Sequence, residues 1–551
     1  MKNFEIAKIF YNLAAYLEMM DIAFKPQAYE RAARAIEIMP QDINEVELEN
    51  IPGVGKHIAQ KIKEYLETGK IREYEKLKKQ TPVKIEELMA IEGIGPKRVQ
   101  ILYKKLGIKN LKDLEKAGKA GKIRNLEGFG EKTEINILKG IEFVKVSQGR
   151  ILLGQALPIA KNIEQKLAPY AEKTSLAGSL RRMQETIGDI DLLVSSKKPE
   201  PILEYFCSLP DIIKVWGKGP TKASIRIRAG FDIDIRIIKP ESWGSALQYF
   251  TGSKEHNIAL RRIALAKKLK LNEYGLFRQG EKIAGRTEEK IYKTLGFDFI
   301  PPEIRQNTGE LENKLPKLIG YQDVKGDLQM HTNWSDGTAS LEQMVKASQK
   351  LNYKYIAITD HAGYLSKVQN GLDKNRLLRQ MRAIDKIKTS LKILKGAEVN
   401  ITKDGRIDAK DEVLAKLDWV VAGVHSYLKM PKKIATQRIA KAMHNPHVDM
   451  IAHPTGRLLN KRPGYQLNWQ QIFAAAKKTK TFLEVNASMN RLDLSDEITR
   501  QAIKAGLKLV INTDSHSVFE LEQMQLGVAQ ARRGWAEKKD ILNAKDELEF
   551  F

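Results

Sequence analysis

The segment Gly178-Ser179-Leu180-Arg181-Arg182, followed by Gly188-Asp189-Ile190-Asp191, decides how this chain is read. Residues i and i+2 of a strand share a face, so Asp189 and Asp191 present two carboxylates side by side. Such a pair suits Mg²⁺, a hard cation that takes oxygen ligands and keeps positions open for phosphates. The Gly-Ser turn and the two arginines add backbone N–H, hydroxyl and guanidinium donors for a triphosphate. An isolated Asp-x-Asp is an ordinary solvated edge. Flanked by phosphate binders, it reads as a nucleotidyl-transfer site.

Two-metal phosphoryl transfer needs a third carboxylate beside the attacking hydroxyl. The stretch Phe231-Asp232-Ile233-Asp234-Ile235-Arg236 offers two on one face. Spacing does not choose between Asp232 and Asp234.

At 551 residues the chain is too long for one core, and several domains are expected. Its 93 basic and 68 acidic side chains leave a net charge of +25, which favours a polyanionic partner. The single cysteine, Cys207, excludes an intrachain disulfide framework and fits a reducing compartment. The opening MKNFEIAKIFYNLAAYLEMM lacks the basic start, apolar centre and cleavage site of a signal peptide. No apolar run is long enough to span a bilayer. These features predict a cytoplasmic protein with no membrane partner.

Before residue 148 the pattern is helical, and one element recurs: Ile51-Pro52-Gly53-Val54-Gly55-Lys56, Ile91-Glu92-Gly93-Ile94-Gly95-Pro96-Lys97 and Leu126-Glu127-Gly128-Phe129-Gly130-Glu131-Lys132. Each copy has an apolar residue, a Gly-x-Gly turn and the start of a new helix. Glycines let a phosphate approach, and the helix amino terminus offers free N–H groups. This is the pattern of a helix-hairpin-helix, which holds DNA backbone without reading bases. Gly53, Gly55, Gly93, Gly95, Lys97, Gly128 and Gly130 are the candidate contacts. The third copy is the least basic and could be structural only.

From about residue 322 strand–loop–helix units repeat, the sign of a parallel α/β barrel. Five histidines follow apolar strands: His331, His361, His425, His453 and His516. Glu398 sits likewise after Ile393 to Ala397. Ligands placed after successive parallel strands converge at the carboxy-terminal mouth of a barrel. Imidazoles mixed with carboxylates suit Mn²⁺, Zn²⁺ or Fe²⁺ rather than Mg²⁺ alone. His444 and His447 lie in a loop before a strand and read as structural.

The residues of the first half resemble the family X DNA polymerases, the group that includes the repair polymerase beta. The matching pieces are Gly178–Arg182, Gly188–Asp191, Asp234-Ile235-Arg236 and Tyr249-Phe250-Thr251-Gly252-Ser253, with Asn257 and Arg261 beyond. The resemblance implies that Asp234 is the third catalytic carboxylate. It implies that Gly178, Ser179, Arg182 and Gly188 meet the incoming triphosphate. Tyr249, Phe250 and Gly252 would wall the sugar pocket, Asn257 would reach the base, and Arg261 would touch the template. Lys61 falls at the position of that family's deoxyribose-phosphate lyase lysine, with Lys25, Tyr29 and His57 along the same pocket. A lysine flanked by cations is a better nucleophile. A plain contact to the DNA backbone accounts for Lys61 equally well.

The second half resembles the PHP (polymerase and histidinol phosphatase) domain, from about residue 322 onward. By that resemblance His331, Asp336, His361, Glu398, His425, His453, Asp514 and His516 are metal ligands of a trinuclear phosphoesterase centre, with Glu398 bridging. The motif usually opens His-x-His, whereas here it opens Gln329-Met330-His331. A glutamine oxygen binds transition metals more weakly than imidazole, so one metal position is expected to be weak.

The expected architecture has five parts. They are a helical lyase-like domain (1–75), a helical DNA-binding part with two further hairpins (76–148), an α+β nucleotidyltransferase palm (149–240), a nucleotide- and template-binding part (241–315) and an α/β PHP barrel of distorted (βα)7 form (316–551). The expected activity is repair synthesis in gapped or nicked duplex DNA from deoxynucleoside triphosphates by a monomer. A Mn²⁺-dependent 3′–5′ exonuclease, extending to abasic-site or 3′-phosphate hydrolysis, would accompany it. Two other readings compete: a nucleotidyltransferase for RNA or small molecules, and a barrel whose metals only stabilise the fold. The three hairpins and Tyr249–Ser253 oppose the first. A nuclease assay separates the second.

Overall fold

The computed structural model of the chain describes residues 2–39, 41–147, 149–363 and 371–548. Helices Lys2–Met19 and Lys25–Ile38 open the chain and pack through Ile6, Phe10, Leu13 and Leu17 against Ala32 and Ile36. That spacing of three and four residues is one face of a helix. The three hairpins follow. Gly53, Gly93 and Gly128 each adopt a left-handed conformation, with φ of 80°, 84° and 77°. Gly55 and Gly95 cap the helices Lys56–Thr68 and Pro96–Leu106, and Gly130 precedes Glu131–Ser147.

The next unit is a five-stranded sheet in the spatial order Lys173–Leu176, Ile190–Ser195, Asp232–Ile238, Lys222–Ile227, Ile212–Lys218. Ile233, Ile235 and Ile237 point into a core shared with helices Leu153–Leu167 and Pro199–Cys207. Strand alternation then sends Asp232, Asp234 and Arg236 to the opposite, half-open face. The strands Lys173–Leu176 and Ile212–Lys218 are additions to the sequence reading. Both are edges of the sheet: Lys173–Leu176 is short and partly polar, and Ile212–Lys218 leaves Ile213, Val215 and Trp216 exposed.

Helices Trp243–Thr251, Lys254–Ala266 and Glu288–Leu295 and a small antiparallel sheet form a further unit with its own core around Leu260, Leu276, Ile291 and Tyr292. Glu288 ties it to the palm: Arg181 donates to both carboxylate oxygens at 3.0 and 2.6 Å, and buried Arg305 donates at 2.6 Å.

The remainder is a nearly closed barrel of seven parallel strands, from Gly326–Met330 to Leu509–Asn512, with the short strand His361–Ala362 beside Lys392–Asn400. The first and last barrel strands meet where His331 N–H donates to Ser515 O at 2.7 Å and Asp514 N–H donates to Gln329 O at 3.1 Å. Most of these strands are buried along their whole length, as expected where both faces are covered. Arg457 of the barrel donates to Glu185 of the palm at 2.5 and 3.2 Å, and Met489, Leu492 and Leu526 enter the palm core. Glu92, in the second hairpin, pairs with Lys429 at 3.4 Å and Arg462 at 3.9 Å. Among the described residues, no helix is long and apolar enough to cross a membrane.

Candidate active sites

Parallel pairing sets Asp191 directly opposite Asp234. With Asp189 they form a cluster whose carboxylate oxygens lie within 4.8 Å of one another. Burial pushes Asp191 up to about 7, and the charges of Asp189 and Asp234 add to the shift. Three carboxylates this close repel unless protons or cations intervene, so the donor set fits divalent metal. Asp232 is excluded from the cluster by its partners. Arg226 lies 3.0 Å away and Trp216 Nε1–H donates to it at 2.8 Å.

The cluster opens into a cavity of about 490 Å³. Gly178, Ser179, Arg182 and Gly188 line one side; Tyr249, Phe250, Gly252, Asn257 and Arg261 line the other. Gly178 holds φ of 58°, and a side chain there would collide with the Asp191 carboxylate, so glycine is required. Arg182 donates to the Thr251 carbonyl, which fixes it across the cavity, and burial lowers it to about 10. Tyr249 and Phe250 meet edge to face with ring centres 5.2 Å apart. The Asn257 amide is already engaged: it donates to Tyr249 O at 2.7 Å and accepts from Gln248 at 2.7 Å. Arg150, Gln184 and Lys254 also line the cavity and were not found from sequence.

The barrel mouth gathers the second set. Glu398 sits at its centre. One carboxylate oxygen lies 3.0 Å from His425 and 3.2 Å from His453, and the other lies 3.3 Å from His331 and 3.4 Å from His361. Asp336 lies 3.3 Å from His516, and Asp514 lies 3.1 Å from His331. Burial opposes charge on Glu398, yet His361 and His425 hold it well below the usual carboxylate range. Gln329 shares the strand face of His331; its amide is fully buried and neither polar atom has a hydrogen-bond partner. The two ring nitrogens of His331 are likewise without hydrogen bonds. Buried lone pairs left without partners beside clustered carboxylates fit metal.

Residues 246–306 match the DNA polymerase beta thumb family and residues 327–488 the PHP domain. Residues 1–71 match a helix-hairpin-helix domain and residues 85–142 a SAM-like helix-hairpin-helix tandem. Along nearly the whole length, the chain is 39% identical to the DNA polymerase/3′-5′ exonuclease PolX of Bacillus subtilis, covering 98% of this chain and 97% of the relative. The chain belongs to the family X DNA polymerases that carry a PHP domain. A probable phosphatase of Acetivibrio thermocellus is 30% identical over 33% of the chain and 75% of its own length.

In this family X chain the supporting residues of the barrel escaped the sequence reading. Asn400 Oδ1 lies 2.6 Å from His425 Nδ1 and fixes that ring. Asn486 Nδ2–H donates to Asp514 at 3.1 Å and to Glu484 at 3.1 Å. Burial, then the charge of Asp514, holds Glu484 well above the usual range. Glu484 and Asn486, two residues apart, share one face of the strand Phe482–Asn486, the same i, i+2 signal that paired Asp189 with Asp191.

In the amino-terminal pocket Lys61 meets a carboxylate. The nearest charged partner of Lys61 is a carboxylate, Glu73, at 2.5 Å, and Tyr29 OH donates to the same carboxylate at 3.3 Å. Lys25 and His57 stand exposed at the starts of their helices.

Proposed function

We propose that this chain fills short gaps in duplex DNA, adding deoxynucleotides to a 3′ end, and trims 3′ ends at the barrel mouth. The observation that carries the reading is the clustering of Asp189, Asp191 and Asp234 beside a cavity lined by Asp189, Asp191, Ser179, Arg182, Tyr249, Phe250 and Gly252. Ser179 and Arg182 would hold the triphosphate, and the paired aromatics beside Gly252 would crowd a 2′-hydroxyl. Asp234 would be the carboxylate that activates the attacking 3′-hydroxyl. Divalent cations, Mg²⁺ in this reading, would neutralise the charge that develops in an in-line displacement.

In the barrel, His331, Asp336, His361, Glu398, His425, His453, Asp514 and His516 would hold Mn²⁺ or Zn²⁺, which activates water and polarises a phosphodiester. Asn400 and Asn486 orient their ligands, and Arg491, 3.8 Å from Asp514, offers a cation to the departing phosphate. The partners are gapped or nicked duplex DNA and deoxynucleoside triphosphates, and the working unit is a monomer.

The test is a gapped duplex with a 3′ mismatch, incubated with Mg²⁺ or Mn²⁺, with and without deoxynucleotides. Extension in Mg²⁺ and removal of the mismatch in Mn²⁺ are expected. Extension without removal under any metal would leave the barrel a scaffold.

A further inference from the structure

The second hairpin sits on the rim of the barrel mouth. Glu92, the residue before its Gly93-Ile94-Gly95 turn, pairs with Lys429 at 3.4 Å and with Arg462 at 3.9 Å. Lys429 lies between the strand Trp419–Gly423 and the helix Lys432–Met443, on the loop that carries His425. Arg462 lies between Met450–Ile451 and Trp469–Thr479, on the loop that carries His453. Phe519, beyond His516 on the loop after Leu509–Asn512, packs against the core of the amino-terminal helices. Loops that leave the carboxy-terminal ends of parallel strands form the mouth of a barrel. The helical region therefore touches three loops of that mouth, each carrying a histidine of the metal cluster. Among the described residues, the second hairpin is the one of the three that is ion-paired with the barrel.

Its turn is open to a phosphate. Gly93 is exposed and left-handed, and nothing stands within 4 Å of where a Gly95 side chain would begin. Gly95 caps the helix Pro96–Leu106, whose first N–H groups have no partner inside the helix. Lys97 is exposed beside them. A turn of this kind holds backbone phosphate and leaves the bases paired and stacked.

Cations continue from the hairpin towards the metal ligands. Arg462 is anchored by donating to Gly456 O at 3.1 and 2.7 Å. Burial lowers its guanidinium, Glu92 opposes that shift and Arg491 adds to it, so Arg462 feels the hairpin and Arg491 together. Arg491 in turn lies 3.8 Å from Asp514. Two guanidinium groups that repel one another suit a phosphate shared between them. The order hairpin, Arg462, Arg491, Asp514 is a path for one DNA strand whose 3′ end reaches the barrel.

We propose that the second hairpin, seated on the barrel rim by Glu92, is the strand-holding element of the nuclease. Its turn grips the backbone of the strand being trimmed, and Arg462 and Arg491 lead that strand to the metal ligands. The proposal rests on the nuclease reading above and deepens it by naming what holds the DNA. Glu92 is a positioning residue: it touches no nucleotide and fixes the hairpin against the barrel.

The experiment uses the full chain, a duplex with a 3′ mismatch and Mn²⁺. Glu92→Lys sets a cation against Lys429 and Arg462, and Lys429→Glu sets a carboxylate against Glu92. Each should raise the KM for duplex in trimming by about fivefold, the upper range for one exposed ion pair, while kcat at saturating duplex stays parental. Glu92→Lys adds positive charge beside a phosphate-binding turn, so a general charge effect would lower KM instead. The exchange Glu92→Lys with Lys429→Glu should bring KM back towards the parent. A bismaleimide crosslink between Glu92→Cys and Lys429→Cys, made in a Cys207→Ser chain, should form without DNA and leave trimming at the parental rate. An unchanged KM in both single variants, a lower KM in Glu92→Lys, or an exchange no better than its parts overturns the proposal. So does a crosslink that fails to form, or one that stops trimming, since the hairpin would then have to leave the mouth for DNA to enter. A parent that trims nothing in Mn²⁺ overturns the nuclease reading instead, so the two failures are distinct.

Discussion

Asp191 and Asp234 occupy one rung of the parallel ladder between Ile190–Ser195 and Asp232–Ile238, so their carboxylates meet across two strands that lie far apart in sequence. The palm cluster contains no histidine, and the barrel cluster shares none of its residues. Separate ligand sets imply separable activities. Asp191→Asn is expected to lower nucleotide addition by roughly 10³-fold, the upper range for removing one electrostatic stabiliser, and to leave Mn²⁺-dependent trimming unchanged. Primer extension and trimming assays on the same preparation check this. Loss of both in a folded protein would argue for a single coupled centre.

The same rung makes metal binding depend on pH. Asp191 is raised to about 7 by burial and by Asp189 and Asp234. A carboxyl raised on folding favours the metal-free fold at low pH. That contribution is lost as pH climbs from the ordinary value of about 3.9 through 7. A divalent cation must displace the proton, so half-saturating Mg²⁺ for extension should fall as pH rises from 6 to 7, by up to about tenfold per unit, and flatten above. Equal Mg²⁺ requirements at pH 6 and 8 would mean that Asp191 is already ionised.

Sequence carried the chemistry that is local and lost the chemistry that depends on register. Asp189 and Asp191 were legible because two residues of one strand share a face, and the barrel histidines because each follows an apolar strand. The choice of Asp234 over Asp232 by geometry needed the neighbouring strand Lys222–Ile227, whose Arg226 occupies Asp232 while Ser224 reaches Asp234. Glu73 gave no warning of its hold on Lys61, because the two lie on separate helices. Glu185 likewise became meaningful only when Arg457, 272 residues away, was seen against it.

Duplex binding should weaken steeply with salt. The helix starts after Gly53-Val54-Gly55 and Gly93-Ile94-Gly95, the exposed Lys97 and the cations of the palm are the expected phosphate contacts. Each neutralised phosphate contributes a slope of about −0.9 in log affinity against log salt, so four or more contacts give about −3.6 or steeper. Titration of a labelled gapped duplex at several KCl concentrations measures it. A slope near zero would mean that the +25 charge is not organised for DNA.

The Lys61–Glu73 pair bears on the lyase question. A lysine engaged by a carboxylate at 2.5 Å must leave that contact before it can attack a sugar. Borohydride trapping on a 5′-deoxyribose phosphate should therefore be weak in the parent, stronger in Glu73→Gln and absent in Lys61→Ala. If Lys61→Ala crosslinks as well as the parent, the lysine serves the DNA backbone alone.

Gln329 offers the sharpest test of the barrel. Its amide is buried without hydrogen-bond partners on the strand face of His331, at the sequence position where the PHP motif usually carries an imidazole. A carbonyl oxygen is a weak ligand for Mn²⁺ or Zn²⁺ compared with imidazole, so that position should empty first on dilution or chelation while the fold survives on the Glu398 cluster. Gln329→His should lower the Mn²⁺ needed for half-maximal trimming by roughly tenfold or more, since even the outer partners of a ligand shift affinity 10–100-fold. His361→Ala should abolish trimming at every Mn²⁺ concentration, because His361 faces both Glu398 and Asp336, at 3.4 and 3.7 Å, and serves two clusters at once. Metal content measured beside activity separates a weak position from an irrelevant one. If Gln329→His gains neither metal nor activity, the glutamine lies outside the working centre.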